Sequence, residues 1–414
     1  MKQSIYNFIY NSNNDFVIYN SFTGAVALLN NYEKDCYEKM SFTDSELIEK
    51  LHYGGFIIED SYDELAFMKM NFLRKRYSEN TLSMCIAPTL NCNFRCSYCF
   101  ENNIRSSGSI SEDTMKCIFS YLKDNIENIK ELIVTWYGGE PLLEIDKIVY
   151  MSEKMMEICE DNDVEYHSTM ITNGYLLNEI NVDKLNKCKI ENIQVTLDGN
   201  KFWHNKKRYL VNGNGTYDVI LNNIKKNYKK LPFINIRINA DKNNIKYIYE
   251  VINNLENFTE KIFFNIAKVN NNNSTYTDKM CLSDAEYFEK IMENQFRDYR
   301  DKIENLLNPC KTYFCNAQLY NTLVIDNRGY LYKCWTDIGY TNRAFGNINN
   351  VKSLDINKFS EYFNIDPFDD SECNRCKYLP LCLGGCPYQY KNRKSRECTF
   401  IKDRLEEILI STLI

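Results

Sequence analysis

The sequence predicts an α/β protein in which a partial (β/α)6 barrel lies between a small winged-helix-like N-terminal module and a C-terminal cysteine-rich domain. Three observations predict it. The chain has 414 residues, more than a single core usually carries. From Thr81 to about Lys268, short β-rich runs alternate with helical windows, the pattern of βα units on a parallel sheet. From Pro309 onward cysteine and glycine are frequent and apolar runs short, as in a small fold that depends on metal because its core is thin. The expected boundaries are 1–78, 79–305 and 306–414.

In chain order, residues 15–19 and 25–29 alternate apolar and polar around a turn at 20–24, which predicts a hairpin. Thr43 with Glu46 three positions later forms the pattern of a capping box opening a helix through Leu51, followed by a short strand at 56–58 and a polar helix over 62–76. Six runs, 82–87, 132–136, 167–172, 193–197, 234–239 and 262–267, read as parallel strands, with helices such as 112–128 and 217–230 between them. In such sheets ligands bind where strands end and helices begin, which directs attention to the residues just after each run. A further capping box, Ser283 to Glu286, opens a helix continuing towards Leu307.

Composition excludes several classes. A formal net charge of −6 argues against a nucleic-acid footprint, which needs clustered basic surface. No run approaches the roughly 18 apolar residues of a membrane span, and residues 1–10 lack a signal-peptide pattern, so a cytoplasmic protein is expected. His52, His167 and His204 have no neighbours suggesting a triad or metal site, and read as structural. Seventeen cysteines in an unexported chain point to metal ligation rather than disulfides. Cys36, Cys85, Cys117, Cys159, Cys188 and Cys281 are scattered through apolar segments as small hydrophobes, whereas the other eleven fall into two groups.

The first group, Cys92, Cys96 and Cys99, follows the first strand directly. A closed zinc site or electron-transfer cluster wants four ligands, whereas a cubane held by three leaves one iron open for chemistry; a zinc knuckle with a distant fourth ligand is the disfavoured alternative. After the second strand comes Gly138-Gly139-Glu140-Pro141, where the glycines permit close backbone approach and the carboxylate suits an ammonium group. Later strand ends carry Thr172, Asn173, Gln194, Thr196, Asp198 and Asn239, suited to a ribose or carboxylate, and Arg237 is a candidate carboxylate partner.

The thiol spacing of three and then two residues, with Tyr98 just before the last, resembles the cluster loop of radical S-adenosylmethionine (SAM) enzymes. The resemblance implies that the open iron chelates the amino and carboxylate groups of SAM, and that one electron breaks the S–C bond to give a 5′-deoxyadenosyl radical. It also implies that residues 138–141 bind the SAM amino group, and favours Thr172 and Gln194 as further SAM contacts.

The second group comprises Cys310, Cys315, Cys334, Cys373, Cys376, Cys382, Cys386 and Cys398, two complete sets of four. Taken alone, Cys373, Cys376, Cys382 and Cys386 would also make an ordinary zinc site. The whole pattern resembles the SPASM domain, which implies one auxiliary cluster on Cys310, Cys315, Cys334 and Cys386 and another on Cys373, Cys376, Cys382 and Cys398. Three [4Fe-4S] clusters and SAM are then the expected cofactors. SPASM enzymes mostly modify peptides, so the resemblance implies a ribosomal precursor peptide, its leader bound by the N-terminal domain through strand addition, and an electron donor such as flavodoxin or ferredoxin. Residues 86–101 and 333–337 look most like thioether-forming maturases of the sactipeptide or ranthipeptide type, in which the surplus electron leaves through an auxiliary cluster. The main alternative is a formylglycine-forming sulfatase maturase, a family with an acid immediately after the third cysteine of the C-terminal domain; here that position is Trp335 and the nearest acid is Asp337. Carbon–carbon crosslinking, epimerisation and a non-enzymatic iron-sulfur or zinc peptide-binding protein are the other readings.

Overall fold

The computed structural model describes residues 1–12, 15–258, 260–271, 276–292, 315–393, 396, 398 and 400–413. Contacts divide the chain into two units: one of 1–77, 305–319 and 362–414, the other of 78–304 and 320–361.

In the first unit β1 (Lys2–Gln3), β2 (Asn7–Ser12), β3 (Asp15–Asn20) and β4 (Val26–Leu29) precede α1 (Asn31–Lys39), α2 (Ser45–Tyr53), β5 (Ile57–Ile58) and α3 (Glu64–Arg76). The expected hairpin is β3–β4, closed by the Gly24 N–H donating to the Asn20 carbonyl (2.8 Å). β2 adds a third antiparallel strand and β1 pairs with β5, neither of which was expected. The Thr43–Glu46 box does not form: α2 begins one residue later, with Asp44 accepting from the Glu46 N–H. Asn30 and Glu33 make a reciprocal box at the head of α1 instead. Ile18, Leu29, Tyr37, Leu47, Leu51 and Ile57 form the core of the module. Its other side packs on the C-terminal segment, where Tyr6, Met68 and Phe72 meet Phe368 and Leu379, and Arg76 is buried against Asp366 (3.4 Å).

In the second unit all six expected barrel strands form: β6 (Thr81–Ile86), β7 (Glu131–Trp136), β8 (Glu165–Thr172), β9 (Ile190–Thr196), β10 (Phe233–Ala240) and β11 (Ile262–Lys268), parallel and in sequential order. Alternate residues such as Leu82, Met84 and Ile86, or Ile234, Ile236 and Ile238, share one face of their strand and are buried, which fixes the register of each strand. The helices of this unit are α4 (Glu112–Asn125), α5 (Ile145–Glu160), α6 (Glu179–Lys187), α7 (Lys201–Lys207), α8 (Tyr217–Asn227), α9 (Ile248–Leu255) and α10 (Asp284–Ile291). The Ser283–Glu286 box caps α10 as expected, but the helix stops at Ile291, and the continuation towards Leu307 lies outside the described residues.

The sheet does not end with the sixth strand. β12 (Thr322–Ile325) joins parallel to β6, and β13 (Tyr330–Tyr332) and β14 (Gly346–Asn347) extend it antiparallel to nine strands. Residues 320–361, expected within a separate domain 306–414, therefore cluster with the barrel. Cys36, Cys159 and Cys188 are buried as expected, whereas Cys85, Cys117 and Cys281 are only partly covered. Among the described residues no helix is long and apolar enough to cross a membrane.

Candidate active site

The loop after β6 is held by backbone pairing on two sides. The Arg95 and Ser97 amides donate to the Tyr209 and Lys207 carbonyls (2.8 and 3.0 Å), and Val211 donates to Asn93 (3.0 Å). On the other side Gly139 donates to Thr89 and Glu140 to Asn91 (3.2 and 2.9 Å). These bonds bring Cys92, Cys96 and Cys99 to one cavity of about 390 Å³, shared with Tyr98, Gly138, Gly139, Thr172, Asn173, Gln194, Thr196, Arg237 and Asn239. Twelve of the sequence-designated residues thus line one space. Burial pushes the Cys92 thiol up to about 12 and Cys99 to about 11, and Cys96 also upward, because burial disfavours the charged thiolate.

Glu140, Pro141 and Asp198 do not line the cavity. Glu140 is fully buried, and its carboxylate already accepts from Leu142 N–H (3.0 Å), the Thr172 hydroxyl (2.6 Å) and Asn173 N–H (2.8 Å). It ties the glycine loop to the end of β8 rather than presenting an acceptor to an ammonium group, and burial raises its pKa. Pro141, itself buried, opens the turn Pro141–Glu144. Asp198 sits behind Tyr98: it accepts the phenol proton on one oxygen and Asn239 N–H (2.8 Å) on the other.

Sequence reasoning missed Arg208, which lies on the loop after α7 rather than at a strand end. Buried in the cavity wall, it donates from Nη1 to the Tyr98 oxygen (2.9 Å), while its Nε has no partner among the described residues. Burial opposes its charge, but the negative potential of Tyr98, Cys96 and Asp198 outweighs this and raises its pKa. Glu101, Arg105, Tyr137, Trp335 and Thr336 also line the cavity. Burial lifts the Glu101 carboxyl to about 7, against the opposing effects of the Tyr137 hydrogen bond and the Arg105 charge.

His204 is structural, as expected. Its Nδ1 accepts from Asp198 N–H (3.2 Å) and its Nε2–H donates to Thr216, whose hydroxyl donates to the Arg208 carbonyl. Burial, then Arg208 and Lys207, depress its pKa, so it stays neutral in the fold. The stability this contributes is complete above the unfolded value of about 6.5 and is lost as pH falls below it, by about 1.4 kcal/mol per pH unit until the folded-state pKa is reached. Urea unfolding at several pH values is expected to show this decline in the native protein and its absence in His204→Gln.

Of the second cysteine group, Cys373, Cys376, Cys382 and Cys398 line one small cavity of about 30 Å³ with Arg396 and Lys402. Asp370 anchors this site, accepting from Cys373 N–H (3.0 Å) and from Arg396 Nε (3.1 Å). Gly384 turns the chain beside it at φ +79°, where a Cβ would meet Arg396 and Pro367 at 2.8 Å. Cys334 is buried after β13, Cys315 and Cys386 are exposed, and Cys310 lies outside the described residues. Among the described residues no three His, Cys, Asp or Glu side chains gather as a single metal ion requires.

Three thiols sharing a cavity with a glycine pair, where parallel barrel strands end, belong to an enzyme with a radical SAM domain: residues 86–255 match the model of the Radical SAM superfamily. SAM and an iron-sulfur cluster are the cofactors of that domain. The glycine pair packs against the backbone of the cysteine loop, where a Cβ on either residue would collide with Thr89 or Asn91, and the unpartnered Arg208 Nε suits an anionic group. Among known proteins, the cysteine-type anaerobic sulfatase-maturating enzyme of Clostridium novyi (strain NT) is 26% identical over 369 residues, covering 77% of this chain and 90% of that one. In fold the chain is similar to anSMEcpe with bound AdoMet and Kp18Cys peptide (TM-score 0.60, 20% identity, 81% of this chain and 100% of that one). It is also similar to Streptococcus suis SuiB bound to precursor peptide SuiA (TM-score 0.53, 17% identity, 95% and 97%).

Proposed function

We propose that the protein is a peptide maturase that joins a cysteine sulfur to a carbon of a ribosomally made peptide. The observation that carries this reading is that Cys92, Cys96 and Cys99 line the same cavity as Gly138, Gly139 and the polar ends of β8, β9 and β10. Cys92, Cys96 and Cys99 would hold the cluster, and Gly138, Gly139, Thr172, Asn173, Gln194, Thr196, Arg237 and Asn239 would hold SAM. With both bound, the site supplies a 5′-deoxyadenosyl radical that takes a hydrogen atom from the substrate. Tyr98, braced by Asp198, Asn239 and Arg208, fixes the loop carrying the thiols, and Glu140 fixes the glycine loop against Thr172 and Asn173.

A peptide substrate is supported by the named activities and partners of the similar proteins. The N-terminal module supports it too: the outer edges of its three-stranded sheet have no strand partner among the described residues, which suits addition of a leader strand. Cys373, Cys376, Cys382 and Cys398 would hold one auxiliary cluster, with Arg396 and Lys402 offsetting thiolate charge. Cys310, Cys315, Cys334 and Cys386 would hold another, and a flavodoxin or ferredoxin would supply electrons.

Formylglycine formation is the second reading, favoured by the Clostridium novyi relative. Against it, Trp335 occupies the place of that family's acid, and Asp337 is buried in an ion pair with Arg343 (3.1 Å) and does not line the cavity. The test is anaerobic reconstitution with SAM, dithionite and a cysteine-bearing precursor peptide encoded beside the gene. Thioether formation is expected to yield 5′-deoxyadenosine and a peptide lighter by two hydrogens whose cysteine resists alkylation. A hydrazine-reactive aldehyde would instead establish the second reading, and no deoxyadenosine would overturn both.

A further inference from the structure

The cavity wall made by Phe100, Glu101, Arg105, Tyr137 and Trp335 is distinct from the residues designated for the cluster and SAM. Trp335 is 48% exposed, yet its backbone is fixed. It begins a short turn in which Asp337 N–H donates to Cys334 (3.0 Å), and the next two residues are buried. One face of its ring lies on Tyr137, with centroids 5.9 Å apart and planes at 29°. Tyr137 is itself buried and hydrogen-bonded to Glu101. The indole is therefore held at the cavity by a rigid support, a platform whose ordering cost is already met.

Two buried polar atoms on this wall lack a partner among the described residues: Glu101 Oε1, on a side chain only 5% exposed, and Arg105 Nε. One accepts and the other donates. A peptide group offers one N–H and one C=O, and so carries a partner for each kind of atom.

We propose that this wall is a substrate subsite that binds one peptide residue, its amide between Glu101 and Arg105 and its aromatic or apolar side chain against Trp335. The assignment rests on the reading of the protein as a peptide-modifying enzyme, and makes Trp335 a specificity-determining residue.

The test uses the reconstituted enzyme with SAM and three probes followed by saturation-transfer NMR: acetyl-Gly-Phe-Gly-amide, acetyl-Gly-Lys-Gly-amide, and the phenylalanine probe with its central N–H replaced by an ester oxygen. The phenylalanine probe is expected to bind roughly tenfold more tightly than the lysine probe. That ratio is expected to collapse in Trp335→Ala and return in Trp335→Phe. The ester should bind more weakly than the amide in the native enzyme but equally in Glu101→Leu. Equal binding of the phenylalanine and lysine probes, a ratio unchanged in Trp335→Ala, or an ester as good as the amide overturns the subsite. Deoxyadenosine measured on the same sample separates the two levels: if it forms while the probes fail, only the subsite falls, and if it does not form, the functional reading falls and the subsite with it.

Discussion

Replacing Cys96 by alanine is expected to reduce 5′-deoxyadenosine formation to the background of SAM decomposition. The three thiols of the loop after β6 line one cavity, and no fourth cysteine among the described residues lines it. Removing one therefore leaves two donors. That should cost far more than the roughly 10- to 100-fold typical of losing an outer partner of a metal site. Cys376 lies in the other, smaller cavity. Its replacement by alanine is expected to preserve SAM cleavage while blocking peptide product. Iron content and chromatographic deoxyadenosine, measured on both variants, check the pair; native-level cleavage by Cys96→Ala would remove the basis of the assignment.

Gly139→Ala is expected to have the next largest effect. A Cβ there would stand 2.3 Å from the Asn91 carbonyl oxygen and 2.6 Å from its carbon, both backbone atoms that cannot swing aside. Relief would require separating the glycine loop from the cysteine loop, breaking the bonds from Gly139 to Thr89 and from Glu140 to Asn91. We expect a loss of about 3–5 kcal/mol in stability together with loss of SAM binding. Gly213→Ala is the comparison, since its Cβ would meet nothing within 4 Å and only its φ of +86° is unfavourable, at a cost of about 1–2 kcal/mol. Thermal unfolding and SAM binding of the two variants decide the matter, and equal behaviour would refute the clash.

What the sequence made legible follows from where its signals are strong. Runs such as Ile234, Ile236 and Ile238 are buried and announce their strands by periodicity. β2 carries the polar residues Asn7 and Asn11 on either side of the consecutive Phe8, Ile9 and Tyr10, so it lacks a clean alternation and gives a weaker signal. The Asn30/Glu33 box was visible in principle, but Thr43/Glu46 matched the same pattern and did not form, because the adjacent Asp44 is the cap. Glu140 had the right chemistry for an ammonium ligand; only the fold reveals that its oxygens are occupied by protein donors. Arg208, 110 residues from Tyr98 in sequence, has no local pattern that announces their hydrogen bond.

The pairing of β12 with β6 has a consequence for how this chain can be divided. A fragment ending at residue 305 would retain all six barrel strands but leave the free side of β6 as a row of unsatisfied amides and carbonyls, a template for self-association. It would also lack Cys334 and Trp335. Any exchange of the carboxy-terminal part between relatives must therefore carry its three strands along, and Cys334 and Trp335 travel with the sheet margin.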